Sequence, residues 1–208
     1  MPKPITEIAP GLYHWTARHP RIGMDVSSYW LPEERVLIDP LLPAEGIDWF
    51  EEQGGGAPQT VLLSNRHHWR SCGDLIERYG VTVRASRPGM HEFGPDRPVE
   101  AFDFGDEVAP DVVAHEVGGI CPDESALHSR SRGTLSVADG IVRWQEGGEL
   151  RFVPDSMMDN PEQDKAVMLQ AYRELLDLDF DHLLLAHGDP AVGDGREKLR
   201  EFVEREGG

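Results

Sequence analysis

The spacing of apolar residues along the chain switches repeatedly between period two and a helical period, and these switches lay out the elements. Gly11-Leu12-Tyr13-His14-Trp15, Ser27 to Leu31 and Val36 to Asp39 have the aromatic and β-branched content of strands, with Pro32-Glu33-Glu34 as a turn. They predict an opening antiparallel meander. Ala44 to Gln53 predicts a short helix closed by Gly54-Gly55-Gly56. Thr60-Val61-Leu62-Leu63 is a continuous apolar run that breaks into Ser64-Asn65-Arg66-His67-His68-Trp69-Arg70. Such a run reads as a buried strand that delivers polar side chains at its C-terminal end. Ser71 with Asp74 three residues later predicts a capping box, and the helix runs to Tyr79 before Gly80 stops it.

Val81 to Ala85 reads as the next strand, and 87–111 as a loop rich in Gly, Pro and acidic residues with a short strand at Val99 to Phe102. A second group of strands is predicted at Val112 to His115, Ser125 to His128, Thr134 to Val137, Val142 to Trp144 and Leu150 to Val153. Asn160 as cap, Pro161 at the first helical position and Gln163 at the third predict a helix to about Leu176. His182 to Ala186 is a last buried strand, and Asp194 begins a closing helix to Glu206. Two strand-and-helix halves predict a mixed α/β (α+β) chain, and 208 residues suit one domain over 1–208.

Five segments resemble the metallo-β-lactamase superfamily, and they occur in that family's order. Val36-Leu37-Ile38-Asp39 resembles its early strand ending in a bracing Asp, and Ser64 to Arg70 resembles its T-H-x-H-x-D-H loop. Val117-Gly118-Gly119-Ile120-Cys121-Pro122 takes the place of its G-H-T-P-G turn. Leu135 to Asp139 takes that of the strand ending in the bridging Asp, and Leu183 to Asp189 that of the last-ligand segment. The resemblance implies a four-layer αββα sandwich with both sheets opening on one metal-binding mouth. Of seven ligand-type positions His67, Asp139 and His187 keep a ligand residue, whereas Asn65, Trp69, Arg70 and Ile120 do not.

Trp and Ile offer no donor, Arg is a permanent cation, and an Asn amide is a poor zinc ligand. The resemblance therefore implies no dinuclear zinc centre. It leaves one divalent ion (zinc, iron or manganese) weakly held by His67, Asp139 and His187, or none. Trp69 is expected to fill the volume of the missing metal. Arg70 is expected to face Asp139, directly or through one water, as a fixed positive charge in place of the second ion, with His187 beside the pair. Asn65, His68, Asp39 and Cys121 complete the expected binding surroundings. The residues also have plainer readings: His67 and His68 as hydrogen-bonded loop histidines, Asp139-Gly140 as a turn, Cys72 and Cys121 as small buried hydrophobes rather than a donor or redox pair.

Charge and composition narrow the function. A formal charge of −18 argues against nucleic-acid backbones and anionic membrane surfaces. Seventeen of the 20 basic residues are arginine, a usage that suits a GC-rich genome or a salt-adapted host. Two cysteines make no disulfide framework, no apolar run approaches a membrane span, and Met1-Pro2-Lys3-Pro4 begins no signal peptide, so the expected location is the cytoplasm. The functional expectation is a hydrolase of an ester, thioester or lactone with a reduced site, at most mononuclear and far slower than an intact two-metal enzyme. The alternative is a non-catalytic module binding a small molecule or a protein on the same fold.

Overall fold

The computed structural model describes residues 2–208. Its first sheet takes seven strands in chain order, β1 (Thr6–Ala9), β2 (Leu12–Arg18), β3 (Asp25–Leu31), β4 (Val36–Ile38), β5 (Thr60–Leu62), β6 (Thr82–Ser86) and β7 (Glu100–Phe102). The meander β1 to β4 is antiparallel, and β4 to β7 run parallel. The second sheet contains β8 (Glu107–Ala109), β9 (Val112–Glu116), β10 (Ser125–Ser129), β11 (Thr134–Val137) and β14 (His182–Leu185), ordered β14-β11-β10-β9-β8. Between β11 and β14 a small ribbon pairs β12 (Ile141–Val142) with β13 (Arg151–Phe152).

Alternation along each strand decides the layering, because neighbouring side chains point to opposite faces. Val36, Ile38, Tyr29, Leu31 and Leu62 face Val112, Ala114, Leu127 and Leu184 across the space between the sheets. Their neighbours Trp30, Leu37, Val61 and Leu63 point outward, onto Phe50 of α1 (Trp49–Glu52) and Leu75 of α2 (Cys72–Tyr79). On the other side Leu135, Val137, Leu183 and Leu185 meet Met168 and Tyr172 of α3 (Pro161–Leu175) and Leu199 and Phe202 of α4 (Gly195–Glu206). Three apolar bodies separated by two sheets make a four-layer αββα sandwich.

The short edge strands β1 and β8 carry too little apolar signal to announce themselves in the sequence. The helix expected over Ala44 to Gln53 contracts to α1, since the chain turns at Gly46 with φ of 90°. Ser71 does not cap α2; its hydroxyl accepts a bond from the Leu42 amide at 3.1 Å. The caps at the other helix ends are mixed: the Asn160 side chain accepts from the Gln163 amide, whereas Asp194 makes no side-chain cap bond.

The two sheets are also tied by hydrogen bonds. The Tyr29 hydroxyl, fully buried, donates to the Leu185 carbonyl at 2.8 Å and accepts from the Leu185 amide at 3.0 Å. The Ser27 amide donates to Ala186 O and the Ser125 amide to Ser64 O, each at 2.9 Å, so the tie continues at the ends where β5 and β14 open into loops. Tyr29→Phe keeps the ring and strands two buried backbone groups. It is expected to lower unfolding free energy by about 2–3 kcal/mol in urea titration; a change under about 0.5 kcal/mol would show that the sheets do not depend on this bridge.

Candidate functional site

Four strand ends meet at one mouth. β4 ends in Asp39, which takes a left-handed φ of 48° and turns its carboxylate toward the end of β5. There Oδ1 accepts from the Ser64 amide at 2.8 Å and Oδ2 from the Ser64 hydroxyl at 2.5 Å. Beyond Ser64, Asn65 caps a single 3₁₀ turn over Arg66–Trp69, its side-chain oxygen accepting from the His67 amide at 2.9 Å. From the second sheet, β11 runs out into Asp139 and β14 into His187.

The 3₁₀ turn decides which histidine enters the site. With three residues per turn, side chains at i and i+3 lie over one another. Asn65 and His68 therefore share the inward side, and His67 points to solvent. His68 is 4% exposed. Its Nδ1 lies 3.0 Å from Asp39 Oδ2 and 3.0 Å from Ser64 Oγ, and its Nε2 lies 3.2 Å from Asp139 Oδ1. His187 Nε2 is 3.2 Å from the same Asp139 oxygen. The other Asp139 oxygen accepts from Asn65 Nδ2 at 3.0 Å. Behind Asn65, wholly buried Glu124 accepts from Asn65 Nδ2 at 3.3 Å and from the Gly140 amide at 2.7 Å.

Burial disfavours every charge in this cluster, and the pairing opposes it. Burial lowers the His68 pKa, but Asp39 and then Asp139 override it and raise it to about 9. Both carboxylates are pushed up by burial and pulled back below the usual range chiefly by His68. Glu124 makes no ion pair among the described residues; burial, then Asp139, raises its pKa to about 8.

Several expectations drawn from sequence are corrected here. His67 is exposed and His68 stands with Asp139 and His187 in its place. Trp69 does not fill the site; it packs on the helical side of the first sheet against Phe93, 6.1 Å between centroids, under the Arg97 guanidinium. Arg70 does not pair with Asp139 among the described residues. Its Nη1 runs beneath the mouth to the Ser27 carbonyl at 2.8 Å and the Asp39 carbonyl at 2.5 Å, from a backbone with φ of 38°. Cys121 and Cys72 are buried and free; Cys121 donates to Glu124 Oε2 at 3.7 Å, and Cys72 belongs to the apolar body under α2. Ile120 packs against the apolar body around α3. Ser64 stands at the loop position that the resemblance implied for it; Glu124 joins the site without a sequence expectation behind it. A Glu directly before an apolar strand, in Glu124-Ser125-Ala126-Leu127, is its only sequence sign.

The donor set suits one divalent cation. One nitrogen each from His68 and His187 and one oxygen from Asp139 lie within 4.8 Å of one another. Two imidazoles and a carboxylate match zinc, iron or manganese. Asp39 holds His68 Nδ1, the outer-shell carboxylate that leaves Nε2 free to ligate. A cleft of about 400 Å³ opens beside His187, lined among others by Lys3, Arg18, Met24, Arg143 and Trp144.

In metal-free protein the His68 imidazole is expected to titrate near pH 9 by NMR. Its raised pKa makes a stabilising contribution that is complete below about 6.5 and lost as pH rises through about 9. A midpoint at or below about 6.5 would mean that His68 does not lie between two carboxylates.

No family model matches the sequence, and no curated protein matches it. Solved structures do. A metallo-β-lactamase from Erythrobacter litoralis aligns with TM-score 0.70 at 14% identity, over 97% of this chain and 96% of that one. The metallo-β-lactamase FIM-1 from Pseudomonas aeruginosa, in a mono-zinc form, aligns with TM-score 0.71 at 14% identity over 97% and 96%. A metallo-β-lactamase family protein from Thermus thermophilus gives 0.65 at 17% identity over 97% and 81%. With sequence similarity this low, the likeness is one of architecture: the chain has the metallo-β-lactamase fold over nearly its whole length.

Proposed function

We propose that this protein is a mononuclear divalent-metal hydrolase acting on the carbonyl of an ester, thioester or lactone. The observation that supports this reading is the convergence of His68 Nε2, His187 Nε2 and Asp139 Oδ1 at one mouth, with His68 oriented from behind by Asp39. A cation held there supplies Lewis acidity and lowers the pKa of a coordinated water. The protein's own groups do the rest. Asp39 keeps the His68 proton on Nδ1, and Asn65 engages Asp139 Oδ2 so that Oδ1 faces the two imidazoles. Arg70, bonded to the Ser27 and Asp39 carbonyls, contributes a fixed positive charge beneath both carboxylates. The cleft beside His187 receives the substrate.

One observation favours a second reading. As an imidazolium between Asp39 and Asp139, His68 already balances much of the site's charge without any metal. The same mouth then serves as a non-catalytic module for a small molecule or a protein.

Elemental analysis and calorimetric titration of dialysed protein with zinc, iron(II) and manganese(II) separate the readings. The hydrolase reading expects about one equivalent per chain, lost in His68→Ala and Asp139→Ala and kept in His67→Ala. It also expects slow, metal-dependent turnover of p-nitrophenyl esters, thioesters or lactones, abolished with the metal. Two tightly held ions with turnover of about 1–1,000 per second would overturn the mononuclear assignment. Absence of both binding and turnover would favour the second reading.

A further inference from the structure

We propose that Glu124 is a positioning residue that sets the cation affinity of the site by holding Asn65, which in turn fixes the rotamer of Asp139. The inference rests on the single-cation reading above and concerns a residue that touches neither the cation nor a substrate.

The geometry runs through one amide. Asn65 Nδ2 reaches two carboxyl groups at once, Asp139 Oδ2 at 3.0 Å and Glu124 Oε2 at 3.3 Å. An amide nitrogen carries two hydrogens, so both bonds can be made together and together they fix the side chain. Its oxygen is already used by the His67 amide, which settles which end of the amide faces inward. Glu124 also reaches the loop after β11 with Oε1, which accepts from the Gly140 amide directly after Asp139. Asp139 is thus held from its backbone and from its side chain by groups that both end on Glu124.

This arrangement divides the two Asp139 oxygens. Oδ2 is occupied by Asn65, and Oδ1 faces His68 and His187. Without Asn65, the carboxylate is free to rotate and to present either oxygen, or neither, to the cation. Packing gives the turn no room to compensate. A Cβ on Gly140 would collide with the Tyr172 hydroxyl and come within 2.7 Å of Met168 Sδ. Outer-shell partners of this kind typically change metal affinity by about 10–100-fold.

The chemistry of Gln at this position makes the test specific. Glu124→Gln keeps shape and volume but replaces one of the two accepting oxygens with an NH2 group; with its carbonyl oxygen kept on the Gly140 amide, the NH2 faces the Asn65 NH2 and only the bond to Asn65 is lost. Zinc affinity is measured by chelator competition on the full chain for the wild type, Glu124→Gln, Asn65→Ala and the double variant, with folding checked by circular dichroism. Each single variant is expected to weaken zinc binding by about 10–100-fold while keeping one site per chain. The double variant is expected to bind no more weakly than Asn65→Ala alone, because Glu124 acts through Asn65. In the cobalt-substituted protein, both single variants should shift the visible absorption bands in the same direction, which a loss of stability alone would not do. Zinc binding in Glu124→Gln as tight as in the wild type, or losses that multiply in the double variant, would overturn the role of Glu124 and leave the single-cation reading standing. Absence of zinc binding in the folded wild type would overturn both.

Discussion

The imidazole of His68 stands between two buried carboxylates, and the rest of the mouth is organised around that contact. Asp39 comes from the first sheet and Asp139 from the second, so the ring bridges the two halves of the sandwich. Taking either carboxylate out of water without a cation would cost several kcal/mol or force protonation. The ring supplies the missing charge and two directional bonds. A metal ion at Nε2 would replace one proton and leave the Asp39 contact intact, so the charge-balanced network and a cation site are two occupancies of the same geometry.

The bridge needs the sheets to be in fixed register. Tyr29 holds Leu185 at both of its backbone polar groups, and the Ser27 amide reaches Ala186 next to His187. These bonds place the loop after β14 against the first sheet. On the far side, the Ser125 amide reaches Ser64 and the Glu124 carboxyl reaches Asn65 and Gly140. The apolar bodies between and outside the sheets supply the driving force, while this short row of polar ties supplies the alignment.

Most of the fold is legible in the sequence because its strands are strongly patterned. Val36-Leu37-Ile38 and Thr60-Val61-Leu62-Leu63 can be assigned from composition, and the order of motifs indicates the layers. Position within the site is harder. Laying Ser64 to Arg70 on the T-H-x-H-x-D-H frame puts Asn65 and His67 at ligand positions, and that register selects His67. Asn65 is a strong N-cap residue, and treating it as one sets a 3₁₀ turn and brings His68 inward. Arg70 and Trp69 are displaced by the same turn: one goes under the mouth to backbone carbonyls, the other to the helical side. Glu124 cannot be identified from pattern, since its role depends on contacts 16 and 59 residues away.

A crystal grown with zinc and measured at the zinc absorption edge tests the account at its centre. It predicts a single anomalous peak bounded by His68 Nε2, His187 Nε2 and Asp139 Oδ1, with Asp39 still on His68 Nδ1 and Asn65 still on the second Asp139 oxygen. Two peaks about 3.5–4 Å apart, or a peak at His67, would contradict it.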